Sequence, residues 1–153
     1  MIKKHFKSVT NQECSFYIDD SLAFEGLTSL DLDGYDRFVV IFDKHLPDDF
    51  VDTILEKLRD HNKDLLKLPL VADEKNKSIK QSISIIEKLE KNTIGRHDLI
   101  ISLGGGFTSD LVSFVSSIYM RGIPYIAIPT TLIGQVDAVT AGKTCVNGPQ
   151  TKN

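Results

Sequence analysis

The sequence predicts an α/β fold, a mainly parallel sheet with helices on both faces. Three observations carry it. Apolar runs at 37–42 (RFVVIF), 65–71 (LLKLPLV), 99–103 (LIISL) and 125–128 (YIAI) have the near-continuous apolar character of strands buried on both faces. Between them lie segments of helical periodicity joined by short connections, the alternation that builds parallel βαβ units. Three consecutive glycines, Gly104 to Gly106, end one strand and open the next helix, as at a ligand-binding turn.

Taken in order, residues 15–19 (SFYID) are a short strand candidate, and the acidic stretch to Asp36 reads as helix or loop. After the strand at 37–42, Pro47 opens a helix in which Phe50, Ile54, Leu55 and Leu58 recur at helical spacing as far as the HNKD breaker. Beyond the strand at 65–71, Ser78 caps a helix whose Ile79, Ile83, Ile86 and Leu89 form an apolar stripe read as core, with lysines on the other face. A helix over 106–119 separates the last two strands. In such a sheet ligands bind outside the carboxyl ends of the strands, so the informative loops begin at Asp43, Ala72, Gly104 and Pro129. After Leu132 little periodicity remains, and the tail reads as an interruption within a longer chain.

A length of 153 residues suits one compact domain over 1–153. Eighteen basic residues against twenty-one acidic give a net charge of -3, which argues against nonspecific nucleic-acid binding. No apolar run approaches membrane-spanning length, and a cytoplasmic location is expected. Cys14 and Cys145 have no metal-ligand spacing and read as free thiols. His5, His45, His61 and His97 are scattered and read as surface histidines, and no hydrolase or metalloprotease motif occurs.

Several residues have two readings each. GGGFTSD suits a phosphate-bearing ligand, with Asp110 one turn into the helix to accept hydrogen bonds from a ribose, or it is a plain strand-helix turn with an acid near the positive helix end. Thr130 and Thr131 place hydroxyls at a strand's carboxyl end, for a ligand or as helix caps. Asp137 and Lys143 flank a small-residue loop, where a carboxylate and an ammonium could orient hydroxyls and neutralise a phosphate, or form a solvated ion pair. The charged run from Ala72 to Lys77 is a ligand loop or a solvated helix entry.

Taken together, GGGFTSD, the RG of MRGIPYI, PTTLIGQVD, GKTCVN and the final KN resemble the N-terminal cofactor domain of 3-dehydroquinate synthase and its sugar-phosphate cyclase relatives. Upstream, IFDKHL and ADEKNKS are similar to the family's TDxN and DGExxKS stretches. The resemblance implies a Rossmann-like domain that binds NAD and, in the full-length enzyme, a divalent metal, zinc or cobalt. The implied substrate is a seven-carbon sugar-acid phosphate, 3-deoxy-D-arabino-heptulosonate 7-phosphate, converted to 3-dehydroquinate in the shikimate pathway leading to aromatic amino acids. The reaction is a phosphate-eliminating lyase reaction: a ring hydroxyl is transiently oxidised, phosphate leaves, the ketone is reduced, and the ring opens and recloses.

By the same resemblance, Asp43, Glu74 and Lys77 contact the adenosine part of NAD, Gly104, Gly105 and Phe107 hold its pyrophosphate, and Asp110, Thr130, Thr131 and Lys152 place the rest. Asp137 stands between nicotinamide and substrate, Lys143 and Asn153 bind substrate, and Arg121 reaches a neighbouring subunit's substrate, which implies a homodimer. The family's metal ligands, a glutamate and two histidines, have no counterpart here, so the chain by itself is expected to be inactive. Where the family has TGD, DGE and DSSVGGKT, this chain has TSD, ADE and DAVTAGKT. Those departures and PTTLIG keep a valiolone- or inosose-type cyclase open as the alternative. A glycerol-dehydrogenase-like NAD oxidoreductase shares the glycine turn, and a noncatalytic nucleotide-binding module is a third reading.

Overall fold

The computed structural model describes residues 2–7, 13–18, 24–142, 144–148 and 150–152, with the backbone alone at 2–7, 13 and 74. Its centre is a four-stranded parallel sheet of β3 (Arg37–Asp43), β4 (Asp64–Leu70), β5 (Leu99–Gly104) and β6 (Tyr125–Pro129), in the order β4-β3-β5-β6. The strands β1 (Ile2–Lys7) and β2 (Glu13–Ile18) pair antiparallel in a separate sheet. Only the second of these was expected. The helices are α1 (Glu25–Thr28), α2 (Asp48–Arg59), α3 (Ile79–Lys91) and α4 (Gly106–Ile118).

Each central strand feeds two cores because alternate side chains point to opposite faces. Val39, Ile41 and Ile100 pack with Ile85 and Leu89 of α3 and with Leu111, Val112 and Val115 of α4. Phe38, Val40, Leu99, Ile101 and Leu103 pack on the other face with Ile54, Leu55 and Leu58 of α2. Burial of each such side chain is worth about 1.5–3 kcal/mol, enough for the sheet to choose which helix row it takes. Local signals agree with the helices: α2 has Asp48 and Asp49 in its first turn and Lys57 and Arg59 in its last, as its dipole favours.

The helix placement follows from handedness. The connection from β3 to β4 runs one way across the sheet and those from β4 to β5 and β5 to β6 run the other, so right-handed crossovers put α2 on one face and α3 and α4 on the opposite one. The reversal opens a crevice between the carboxyl ends of β3 and β5. Asp43 ends one of these strands and Gly104 the other.

Two expectations need correction. Ile79 and Ile83 are not core: they are 49% and 51% exposed, and α3 instead buries Ser82, Ile85 and Leu89. Two rows with apolar members run side by side on this helix, and α3 packs on α4 as well as on the sheet, so the double contact sets its rotation. Nor is the segment after Leu132 without structure. Gly134–Ala138 form a π-helical turn, and Asn147 bridges Ser78 in parallel, its N–H donating to the Lys77 carbonyl at 2.7 Å.

Candidate functional site

The crevice at the carboxyl ends of β3 and β5 is bounded by the first turn of α4. Gly105 is the N-cap of α4, with no side chain capping it and no acid in the first turn. The positive end of a 13-residue helix therefore presents N–H groups for an anion to meet. Thr108 and Ser109, in the same turn, are 0% and 3% exposed and their hydroxyl oxygens have no protein partner. Buried hydroxyls without partners are costly unless a ligand or water satisfies them.

The glycines have distinct jobs. A Cβ on Gly104 would meet Thr108 Oγ1 at 2.5 Å, and one on Gly105 would meet Thr131 Cγ2 at 3.1 Å. The chain's own packing thus requires Gly104 to be small, whereas at Gly105 the exposed Thr131 side chain would have to give way slightly. Gly106 is looser, its Cβ position lying 3.5 Å from that of Ala138. Gly104 lies buried within β5, and its carbonyl accepts from Thr130 N–H at 2.9 Å. What the turn offers a ligand is the backbone of Gly105, Gly106 and Phe107. The Phe107 ring packs against the core.

The turn after β6 closes on the same helix end. Thr131 Oγ1 accepts from Gly134 N–H at 3.1 Å, so this threonine does act as a cap, and Gly134 lies against the Gly106 nitrogen. Thr130 is half-buried; Asp137 is exposed on the π-helical turn.

Lys77 was expected at the site, but its partner was not. Sequence distance suggests nothing, yet its Nζ donates to Asp110 Oδ2 at 2.7 Å across 33 positions, with Lys77 5% exposed. Cys145 Sγ donates to the same oxygen at 3.4 Å. Burial acts to lower the Lys77 pKa, but the hydrogen bond and charge of Asp110, with Cys145 adding, outweigh it and leave it raised, so the ammonium is firmly held. Burial pushes the Cys145 thiol up, against the opposing effect of Lys77. Charged and thiol groups read separately in the sequence thus form one half-enclosed cluster beside the crevice, and Cys145 carried no signal for it.

Asp43 Oδ1 accepts from the His45 N–H at 3.0 Å and lies 2.9 Å from His45 Nδ1. His45 is exposed, as expected, and holds the carboxylate at the mouth of β3. Glu74 begins a 3-10 turn, Glu74–Asn76, but its side chain lies outside the described residues, as do Lys143 and Asn153 entirely. Lys152 is exposed in the tail. Arg121 stands apart from the others, exposed with φ of 68° just beyond the far end of α4, away from the crevice. Among the described residues, no three of His, Cys, Asp and Glu converge as a metal site, and no helix is long and apolar enough to cross a membrane.

Comparison with known proteins gives this geometry its family. Residues 67–153 match the model for the 3-dehydroquinate synthase N-terminal family. The chain is 44% identical over 97 residues to a 3-dehydroquinate synthase of Sulfurisphaera tokodaii, covering 63% of this chain and 28% of that protein. It is 39% identical over 123 residues to a 2-epi-valiolone synthase of Actinosynnema mirum, covering 80% of this chain and 32% of that one. The chain thus spans about a third or less of the relatives' length. Among solved structures, a 2-deoxy-scyllo-inosose synthase complexed with carbaglucose-6-phosphate, NAD+ and Co2+ superimposes with a TM-score of 0.90 over 99% of this chain and 41% of its own, at 23% identity. The 2-epi-5-epi-valiolone synthase of Streptomyces hygroscopicus with NAD+ and Zn2+ bound gives a TM-score of 0.70 at 27% identity, over 80% of this chain and 35% of its own. With more than half of its residues matching the family model and its fold shared with sugar-phosphate cyclases, the chain belongs to the 3-dehydroquinate synthase N-terminal family.

Proposed function

We propose that this chain is the NAD-binding part of a sugar-phosphate cyclase of the 3-dehydroquinate synthase type, a phosphate-eliminating lyase acting on 3-deoxy-D-arabino-heptulosonate 7-phosphate in the shikimate pathway. The uncapped N-terminus of α4 at the sheet's carboxyl-end crevice, in a chain of this family, carries the reading. A dinucleotide's pyrophosphate matches the charge of that helix end, and the unpartnered Thr108 and Ser109 hydroxyls fit a polar guest or its water. NAD supplies the reversible acceptance of a hydride from the substrate's ring carbon.

The chain's own residues bind and orient. The N–H groups of Gly106 and Phe107 meet the pyrophosphate, while Asp110, fixed through Oδ2 by Lys77, keeps Oδ1 for a ribose hydroxyl. Asp43 takes the adenosine side of the crevice, with Thr130 and Thr131 closing the other. Asp137 and Lys143 face the substrate, where an ammonium favours the phosphate and a carboxylate orients hydroxyls. Arg121, at the opposite end of α4, serves a second subunit of a homodimer. The divalent metal belongs to the whole enzyme; among the described residues no cluster fits it.

Calorimetric titration of NAD+ into the 153-residue chain tests the cofactor reading. Saturable heat at submillimolar to millimolar cofactor is expected, and its absence at millimolar NAD+ overturns the reading. The chain by itself should not release phosphate from the heptulosonate phosphate; turnover at the rate of a full-length relative would show that the metal ligands lie within it after all. The relationship to the Actinosynnema mirum protein favours valiolone-type substrate choice as the second reading. Assaying a full-length protein that carries this domain with both sugar phosphates separates the two.

A further inference from the structure

The Tyr125 hydroxyl has no role in the site described above, and it joins three of the site's elements. It lies on β6, 2.7 Å from Ser102 Oγ of β5, and donates to the Ser109 carbonyl in α4 at 3.2 Å. With Tyr125 donating to Ser109, the Ser102 hydroxyl is the donor of the pair. Ser102 is 0% exposed, and the chain of hydrogen bonds sits between the sheet and the helix rather than in solvent.

Its position decides its consequence. Ser109 directly precedes Asp110, and its own N–H closes the first α4 turn by donating to the Gly105 carbonyl at 3.1 Å. The strand carrying Tyr125 ends at Pro129 and delivers Thr130, whose N–H is bonded to Gly104. A shift of α4 along the sheet would therefore change the distance between the Gly105 to Phe107 backbone and the Thr130–Thr131 turn. Little else polar in the described residues ties the α4 first turn to β6. The Ser109 hydroxyl has no partner, and Thr108 contributes none through its side chain.

We infer that Tyr125 is a positioning residue, whose hydroxyl sets the first turn of α4 against β5 and β6 and so tunes the affinity of this helix end for a pyrophosphate-bearing ligand. The ligand part rests on the NAD reading above; the positioning part does not. Burial, more than the opposing Ser102 hydrogen bond, raises the phenol's pKa, so the hydroxyl keeps its proton through the neutral range. Ser102 is the relay that holds the phenol oxygen in place.

Two measurements on Tyr125→Phe test it. In the ligand-free chain, hydrogen exchange at the Ser109 amide should quicken about tenfold relative to wild type, the scale of one lost buried hydrogen bond, while the amides of α3 stay unchanged. Unchanged exchange at Ser109, or an equal rise throughout both helices, overturns the positioning role whether or not NAD binds. In ligand titrations, ADP-ribose and NAD+ should each bind about tenfold more weakly to Tyr125→Phe while adenosine binds as to wild type. A merely structural loss would weaken all three alike and would overturn the proposal. Ser102→Ala should shift both readouts in the same direction by less. Failure of wild type to bind NAD+ rejects the functional reading, and the exchange result then decides the inference independently.

Discussion

The Lys77 ammonium and the Asp110 carboxylate meet at 2.7 Å beside the sheet's carboxyl-end crevice, with side chains only 6% and 15% exposed. The pair joins the turn after β4 to the first turns of α4. Through the Lys77 carbonyl, which accepts from Asn147 N–H, it also holds the C-terminal segment. Two groups proposed to contact one cofactor are thus already committed to each other.

Asp110→Ala removes the carboxylate that faces the buried Lys77 ammonium and should cost about 3 kcal/mol in urea unfolding, whereas the double variant Lys77→Met/Asp110→Leu should recover most of it. Equal losses in the single and double variants would show that the ammonium left behind by Asp110→Ala carries no penalty of its own.

The same pair makes an alkaline prediction. The Lys77 pKa is higher in the folded chain than the ordinary lysine value of 10.5, so the stability it contributes is fully present below that value. It is lost as the pH rises through the folded pKa. The stability difference between wild type and Lys77→Met should therefore be flat through neutral pH and shrink only above about 10.5. Urea midpoints across an alkaline series read this directly.

Gly104→Ala would place a methyl 2.5 Å from Thr108 Oγ1 and 2.7 Å from Thr108 Cβ, inside the buried end of β5. It should destabilise by about 1–3 kcal/mol through overpacking, and Gly106→Ala, with 3.5 Å of clearance, by much less. Thermal unfolding of the two variants side by side gives the order. A reversed order would mean that internal packing is not what distinguishes these two glycines.

Ser78 accepts from Gln81 N–H at 3.3 Å as the α3 cap. Ser78→Ala should cost about 1 kcal/mol, measured by chemical unfolding, and Ser78→Asp should restore most of it.

Cys145 and Cys14 should separate on alkylation. Cys14 is exposed, while Cys145 is half-buried with its thiol pKa raised. At about pH 8, iodoacetamide followed by mass spectrometry of the peptides should find Cys14 labelled about tenfold faster.

Much of the fold was legible because its signals are local. The four central strands lie within a residue or so of the apolar runs, and the Pro47 entry and the Ser78 cap stand where their chemistry put them. The glycine turn at 104–106 does open a helix. The α3 rotation was not legible, since Ile79, Ile83 and Ile86 are as apolar as Ile85, and only packing against α4 and the sheet chooses between the rows.

The site divides in the same way. From the sequence alone came the order of elements, the loops at the strands' carboxyl ends and the family resemblance of GGGFTSD, PTT and GKT, all properties of neighbouring residues. The tertiary structure decided that Lys77, Asp110 and Cys145 share one carboxylate oxygen and that Tyr125 reaches both Ser102 and Ser109. It also decided that Gly104 is small for the sake of Thr108. Such contacts depend on strand order and helix rotation, which are set when the two cores close around the sheet and are written in no short stretch of chain.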